Sequence, residues 1–266
     1  MTEQDTAAPS AAAAQAPAPG RRPTVVVSDV EVEYRVYATG RRTEEASRLL
    51  RRRSALRRTQ VVHALRGVSL TAHEGEALGI IGSNGSGKST LMRVIAGLTR
   101  PTRGTVRAAG DPALLGVGAA LLKDLSGERN VVLGGLALGM TRAEVAERYD
   151  SIVEFAGIGD FLELPMRTYS SGMSARLRFA IAAARTSSVL LIDEALAVGD
   201  AQFARRSEAR IAELRAQAGT VVLVSHQLGS ITATCDRVLW LDRGLVRMDG
   251  PTDEVVAAYR AAAAAG

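Results

Sequence analysis

Nine consecutive residues constrain the fold of this chain more than any other feature. From residue 82 to residue 89 the sequence matches Gly-x-x-x-x-Gly-Lys-Ser/Thr, a pattern whose backbone amides cradle phosphate groups, and Thr90 completes the stretch. Residues 76–81, which are apolar after Glu76, predict a short buried strand before it, and residues 89–96 predict a helix after it. The candidate phosphate-contacting residues are Gly82, Ser83, Asn84, Gly85, Ser86, Gly87, Lys88, Ser89 and Thr90.

The chemistry of this loop follows from its residue types. Gly85 and Gly87 lack a Cβ, so backbone N–H groups can curl around an anion, and the helix N-terminus adds partial positive charge. Lys88 is placed to reach the terminal phosphates, and the hydroxyl of Ser89 to bind Mg²⁺. The alternative is a glycine-rich turn that only joins a strand to a helix.

A second candidate element is an apolar strand that ends in two acids. Residues 189–192 are Val-Leu-Leu-Ile, and Asp193 and Glu194 follow directly. At the carboxyl end of a strand Asp193 can hold Mg²⁺, and Glu194 can act as the general base that activates a water molecule. The alternative is that the two carboxylates only form a polar cap on a buried strand.

A Ser/Gly cluster opens the helix before this strand. The cluster resembles the Leu-Ser-Gly-Gly-Gln signature of ABC-type ATPases and consists of Ser170, Ser171 and Gly172, with Met173 after them. An ordinary serine N-cap would give the same sequence pattern. In that family the signature of one chain closes over the ATP of another. The resemblance also assigns Asp200 to a contact with the opposite active site and His226 to the sensing of the γ-phosphate.

The chain departs from the family pattern at two places. Most ABC ATPases have a glutamine between the phosphate loop and the signature that contacts magnesium, but none occurs here between Gln60 and Gln202, and residues 116–118 are Gly-Val-Gly. The aromatic residue that stacks on adenine is the other open point. Tyr34 is our candidate, Tyr37 is a second one, and either could be strand packing.

The order of predicted elements indicates an α/β fold. Alternating strands and helices after residue 189 favour a parallel sheet covered by helices. The resemblance implies a P-loop NTPase of the ABC type, with a mixed sheet core, an inserted helical subdomain and an N-terminal antiparallel β region. We divide the chain into a disordered Ala/Pro-rich tail (1–23), an ATPase domain (24–256) with a basic insertion (38–60) and a helical subdomain (about 112–172), and an Ala-rich tail (257–266). We expect this Ala-rich end to be a fraying helix.

The net charge of +5 is concentrated in one segment. Residues 41–58 carry eight arginines and two glutamates, so the rest of the chain is close to neutral. The segment is either a basic amphipathic helix that meets lipid headgroups or a membrane partner, or a solvated charged loop. The single cysteine, Cys235, excludes an intrachain disulfide, and no apolar run approaches the ~20 residues of a membrane span.

Within the ABC family the chain looks most like the ATPase subunits of polysaccharide and teichoic-acid exporters. The resemblance implies ATP and Mg²⁺ as ligands, a homodimer, a separate transmembrane permease in two copies, and a lipid-linked polysaccharide as transported substrate. It implies a peripheral location on the cytoplasmic face of the membrane, and no nucleic acid is expected. The alternatives are a soluble ABC-type ATPase that acts on nucleic acid or ribosomes, and a regulator that binds ATP without hydrolysing it.

Overall fold

The computed structural model describes residues 21–37, 59–115, 121–193 and 200–265. Its strands and helices follow the order that the sequence predicts, with additions noted below. The strands are β1 (Pro23–Tyr37), β2 (Thr59–His73), β3 (Ala77–Ile81), β4 (Arg103–Ala108), β5 (Ala113–Leu115), β6 (Val189–Asp193), β7 (Thr220–Val224), β8 (Arg237–Asp242) and β9 (Leu245–Pro251). The helices are α1 (Lys88–Ile95), α2 (Gly127–Ala137), α3 (Arg142–Ala156), α4 (Ser171–Ala183), α5 (Ala201–Gln217), α6 (Leu228–Thr234) and α7 (Thr252–Ala265).

The strands that the structure describes form two sheets. An antiparallel sheet has the order β2-β1-β4, and a mixed sheet has the order β5-β6-β7-β3-β8-β9. In the mixed sheet only β9 is antiparallel to its neighbour, β8. The predicted α/β class, with a mixed sheet and an N-terminal antiparallel region, is therefore confirmed.

Helix α1 lies between the two sheets and forms the centre of the core. Its residues Leu91, Met92, Val94 and Ile95 are buried in one cluster with side chains from both sheets. Each such side chain contributes roughly 1.5–3 kcal/mol when it leaves water. This packing holds the loop at residues 82–87 rigidly between β3 and α1.

The other face of the mixed sheet is covered by helices. Along β6, Val189 and Leu191 belong to the α1 cluster, whereas Leu190 and Ile192 pack with residues of α4, α5, α6 and α7. A strand buried on both faces reads as a continuous apolar run, which explains the sequence pattern. A third cluster joins α2, α3 and α4. The spacing of Val145, Tyr149, Ile152 and Phe155 places them on one helical face and predicts a helix over residues 141–155, which α3 confirms.

A buried ionic network connects the two sheets. Arg237 on β8 donates to both carboxylate oxygens of Asp249 on β9, to Glu76 Oε1 at 3.1 Å and to the carbonyl of Thr71 on β2 at 2.9 Å. Glu76 Oε2 in turn accepts the backbone N–H of His73 at 2.8 Å. Three elements are thereby fixed at the end of the sheet opposite the loop.

Two boundaries drawn from the sequence need correction. The helical subdomain does not begin at residue 112, because Ala113–Leu115 forms β5 and pairs with β6. The Ala-rich end is helical, as expected, but the boundary at residue 257 falls inside α7, which begins at Thr252. The ring of Tyr259 packs edge-on against Trp240, with the ring centroids 5.3 Å apart. The proposed N-terminal tail up to residue 20 and most of the basic insertion, residues 38–58, lie outside the described residues.

Candidate functional site

The loop between β3 and α1 needs glycine at two positions for steric reasons. Gly82 has φ 150°, and a Cβ there would lie 2.2 Å from the carbonyl oxygen of Leu241. Gly87 has φ 108°, and its Cβ would lie 2.6 Å from the carbonyl oxygen of Ala64. The backbones of β8 and β2 lie directly against the loop at these two positions, so only residues without a Cβ allow the loop to adopt this conformation.

Lys88 lies across the mouth of this loop. Its Nζ donates to the carbonyl oxygens of Gly82 at 2.7 Å and Ser83 at 2.9 Å. Burial lowers the pKa of the Lys88 ammonium below its ordinary value, and the Asp193 carboxylate opposes this effect in part. A partly desolvated cation held by carbonyls is suited to bind a phosphate, whose charge compensates the desolvation.

Two oxygen ligands lie beside Lys88. The hydroxyl of Ser89 donates to Asp193 Oδ2 at 3.5 Å, a long hydrogen bond between the start of α1 and the end of β6. Among the described residues, no three His, Cys, Asp or Glu side chains are grouped as metal ligands. Mg²⁺ nevertheless needs few protein ligands when nucleotide phosphates supply others, and one hydroxyl with one carboxylate is sufficient. Ser89 and Asp193 therefore fit this ion.

An open cavity of about 590 Å³ extends from the loop. It is shared by the loop, the end of β6, the segment after β7 and part of β2. Its lining residues are Val62, His63, Ala64, Asn84, Gly85, Gly87, Lys88, Ser89, Thr90, Asp193, Val224 and His226. The predicted residues Lys88, Ser89, Asp193 and His226 therefore lie around a single cavity, although they are widely spaced in the chain.

The cavity also has a wall that sequence reasoning missed. Val62, His63 and Ala64 on β2 line it, and His63 Nδ1 lies 3.3 Å from Glu33 Oε1. From the sequence we interpret His63 as structural, because a strand histidine carries no signal of a cavity. Its position becomes visible only when the β1–β2 ladder is seen to pass beside the loop.

Some members of the predicted loop contribute through the backbone. The side chain of Ser86 is only 1% exposed, and its hydroxyl has no hydrogen-bond partner among the described residues. The Ser86 carbonyl accepts the N–H of Gly244 at 2.9 Å, which ties the loop to the β8–β9 turn. Ser86 therefore supports the loop from beneath rather than facing the cavity.

The Ser/Gly cluster forms the N-terminus of α4. Ser170 Oγ accepts the backbone N–H of Met173 at 3.1 Å, so Ser170 is an N-cap. A Cβ on Gly172 would meet nothing nearer than Ser170 Oγ at 3.8 Å. Ser170, Ser171 and Gly172 are not among the residues that line the cavity beside the loop of the same chain.

Asp200 is the N-cap of α5. Its Oδ1 accepts the N–H of Phe203 at 2.9 Å, and its Oδ2 accepts a hydrogen bond from Arg176 on α4. The Phe203 amide is the largest cause of a lowered pKa at Asp200, and the Arg176 cation adds to it. The carboxylate is thus held ionised, with both oxygens engaged inside one chain.

The remaining candidate residues either lie outside the described residues or do not line the cavity. Glu194 and residues 116–118 lie outside the described residues, as does the side chain of Tyr37. Tyr34 is 41% exposed and does not line the cavity, but it pairs in register with Val62, which does. Its role in adenine stacking stays a prediction.

The fold and the cavity together define a P-loop nucleotide-binding domain. The sequence model described as "ABC transporter" matches residues 65–197. The chain belongs to the ABC transporter family and carries its ATP-binding domain.

Two named relatives of the chain are ATP-binding proteins of export systems. The chain is 46% identical over 219 residues to the O-antigen export system ATP-binding protein RfbB of Myxococcus xanthus. The matched region covers 82% of this chain and 50% of RfbB. It is 42% identical over 238 residues to the teichoic acids export ATP-binding protein TagH of Levilactobacillus brevis, covering 89% of this chain and 64% of TagH. The chain thus spans about half to two thirds of these relatives.

Solved structures agree on the fold. One of them is a dimeric ATP-binding cassette in a post-hydrolysis state, bound to ADP and Pi. It superposes with a TM-score of 0.61 at 22% identity, covering 86% of this chain and 98% of that one. In the part of our chain that the structure describes, no helix has both the length and the apolar character needed to cross a bilayer.

Proposed function

We propose that this chain hydrolyses ATP and thereby drives an ABC exporter of a lipid-linked cell-envelope polysaccharide or teichoic acid. The observation that carries the ATPase part is the single cavity shared by Lys88, Ser89, Asp193 and His226. The exporter part is supported by the two relatives, which are named for O-antigen and teichoic acid export.

The residues around the cavity have distinct tasks in this proposal. Lys88 and the amides of the glycine loop bind the β- and γ-phosphates and stabilise the negative charge that spreads in the transition state. Ser89 and Asp193 would hold Mg²⁺, which neutralises phosphate charge when bound. One ring nitrogen of His226 donates to the γ-phosphate.

Glu194 is the proposed general base. It follows Asp193 directly at the carboxyl end of β6. Glu194 accepts a proton from the attacking water, a new O–P bond forms at the γ-phosphorus, and the bond to the ADP oxygen breaks. ADP and inorganic phosphate are the products.

The active site requires a second copy of the chain. The N-terminus of α4, with Ser170 and Gly172, does not line the cavity of its own chain. Among the described residues, no atom comes closer than 3.8 Å to a Cβ built at Gly172, and free amides at a helix N-terminus suit an anion. As the resemblance to ABC-type ATPases implies, we propose that the α4 N-terminus covers the ATP of a partner copy, in a homodimer that holds two ATP molecules.

The proposed assembly includes a separate membrane permease, in two copies. The ATPase subunits would lie peripherally on the cytoplasmic face of the membrane, and closure and reopening of their dimer would move the permease.

The basic segment at residues 41–58 is proposed to contact lipid headgroups or the permease. Neutralising Arg51, Arg52 and Arg53 should then weaken membrane association or export more than basal hydrolysis, and unchanged activities would make the segment a passive loop.

The competing function is a soluble ABC-type ATPase that grips nucleic acid or ribosomes with its arginines. The names of the relatives, which refer to O-antigen and teichoic acid export, do not favour it. Salt-dependent RNA or DNA binding by the purified chain would support it.

The decisive experiment replaces Glu194 by Gln. This variant should bind ATP as the parent does, lose turnover, and accumulate as an ATP-bound dimer in light scattering. Undiminished hydrolysis would remove Glu194 as the base, and a parent chain that neither hydrolyses ATP nor dimerises with it would refute the proposed function.

A further inference from the structure

The N-terminal ends of α4 and α5 are joined by one ion pair. Arg176, six residues after the α4 N-cap Ser170, donates through Nη2 to Oδ2 of Asp200. Asp200 is itself the N-cap of α5, through its Oδ1 and the N–H of Phe203. The carboxylate therefore bridges the two helices with one oxygen for each.

Arg176 is itself fixed in position. Its guanidinium carbon lies 5.4 Å from the centroid of the Phe203 ring, and its side chain is only 25% exposed, against 57% for Asp200. A planar guanidinium that stacks on a ring and donates along its edge has a single favourable orientation. The less exposed Arg176 therefore sets the direction of the more exposed Asp200.

The stability of this region does not depend on the pair. The rings of Phe155, Phe179 and Phe203 pack against one another with centroids 5.5–5.9 Å apart and join α3, α4 and α5. An ion pair with one partner more than half exposed adds little to folding. Its specific effect is geometric, because it ties the orientation of Asp200 to helix α4.

We propose that Arg176 is a positioning residue that holds Asp200 in register with the α4 N-terminus, so that both helix ends meet the partner copy's nucleotide as one rigid surface. This inference rests on the proposed function, in which α4 covers the ATP of a second copy. Arg176 acts through Asp200 and through the cap of α5, and it does not itself contact the nucleotide.

The test separates the ion pair from the helix cap. Asp200→Asn keeps a good N-cap but removes the charge, and Arg176→Gln removes the guanidinium. Both are made in the full chain carrying Glu194→Gln, and ATP-dependent dimerisation is measured by light scattering. We expect each variant to need about tenfold more ATP for half-maximal dimerisation, as for the loss of one charge-assisted hydrogen bond.

Three further measurements decide the interpretation. The ADP affinity and the Tm of both variants should equal those of the parent. The double variant should need no more ATP for dimerisation than either single variant, and Arg176→Lys should dimerise better than Arg176→Gln. The matched control is Arg178→Gln, which removes an exposed arginine from the same helix and should dimerise like the parent. Parent-like dimerisation of Arg176→Gln or of Asp200→Asn, or an equal loss of ADP affinity, would overturn the positioning role of Arg176. Failure of the parent to dimerise would refute the proposed function itself.

Discussion

Ser89 Oγ lies 3.5 Å from Asp193 Oδ2, although 104 positions separate the two residues in the chain. The contact exists because α1 is packed between the sheets, and because β6 ends with Asp193 at the same edge at which the loop after β3 opens. A hydroxyl and a carboxylate are thereby held together beside the Lys88 ammonium. This pair is the basis of the first prediction.

Ser89→Ala and Asp193→Asn should each weaken binding of ATP in the presence of Mg²⁺. Losing one hydrogen bond or ligand to a charged group costs about 1.5–3 kcal/mol, which corresponds to roughly 10- to 150-fold in affinity. Calorimetric titration with ATP measures it, once with Mg²⁺ and once with EDTA. The losses should largely disappear in EDTA, and Ser151→Ala on α3 serves as control; a loss of equal size in EDTA would contradict a role in metal binding.

Gly172→Ala and Gly82→Ala should have opposite consequences. The Cβ of alanine at 172 meets no close atom, and alanine is favoured over glycine in a helix by up to about 1 kcal/mol, so the Tm should stay equal or rise. ATP-dependent dimerisation should nevertheless fall, because in the proposed dimer the added methyl group would face the partner's nucleotide.

At residue 82 the added Cβ meets the Leu241 carbonyl at 2.2 Å. The free energy of unfolding should therefore drop by at least about 2 kcal/mol in urea denaturation. A Gly172→Ala chain that dimerises normally would argue against the composite site, and a Gly82→Ala chain of parent stability would contradict the steric account.

Arg237→Ala should destabilise the chain far more than Arg247→Ala. Arg237 neutralises the Asp249 carboxylate, whose side chain is 12% exposed, and contacts Glu76, so its removal leaves buried acids without a partner and costs about 2–4 kcal/mol. Arg247 pairs with Asp242 at 3.2 Å on the same hairpin but is 62% exposed, so its removal should cost less than about 1 kcal/mol. Urea denaturation of the two variants measures the difference, and equal losses would contradict the role of the network.

The unfolding free energy should fall with rising pH through Cys235. Burial raises the pKa of this thiol to about 12, whereas an unfolded thiol titrates near 8.5. Above about pH 8.5 the unfolded chain has lost a proton that the folded chain keeps, so stability declines with a limiting slope of about 1.4 kcal/mol per pH unit. Denaturation between pH 8 and pH 10 should show a steeper decline for the parent than for Cys235→Ala, and parallel curves would contradict the prediction.

The sequence alone was sufficient for the elements whose signal is local. The glycine loop is recognisable because each glycine, Lys88 and Ser89 must stand at a set spacing for the backbone to surround a phosphate. The apolar run of β6 and the α3 face with Val145 and Ile152 follow from burial periodicity. The same information supported the α/β class and the family resemblance.

Short or irregular elements escaped this reasoning. β5 has three residues in a Gly- and Ala-rich stretch, and it is a strand only because Ala113, Leu114 and Leu115 pair with β6. The alanine run at the end predicts only a fraying helix, whereas it continues α7, which begins at Thr252 and is anchored by Val255, Val256 and the Tyr259 contact with Trp240. In both cases tertiary partners, rather than intrinsic propensity, determine the element.

The sequence by itself therefore determined that the chain has a phosphate loop, an acidic strand end and a serine-capped helix. Only the tertiary structure decided that Lys88, Ser89, Asp193 and His226 surround one cavity, that β2 supplies another wall of it, and that the α4 N-terminus lies elsewhere on the chain. The physical reason is that spacing along the chain sets local backbone geometry, whereas the meeting of distant side chains depends on how two sheets pack around α1.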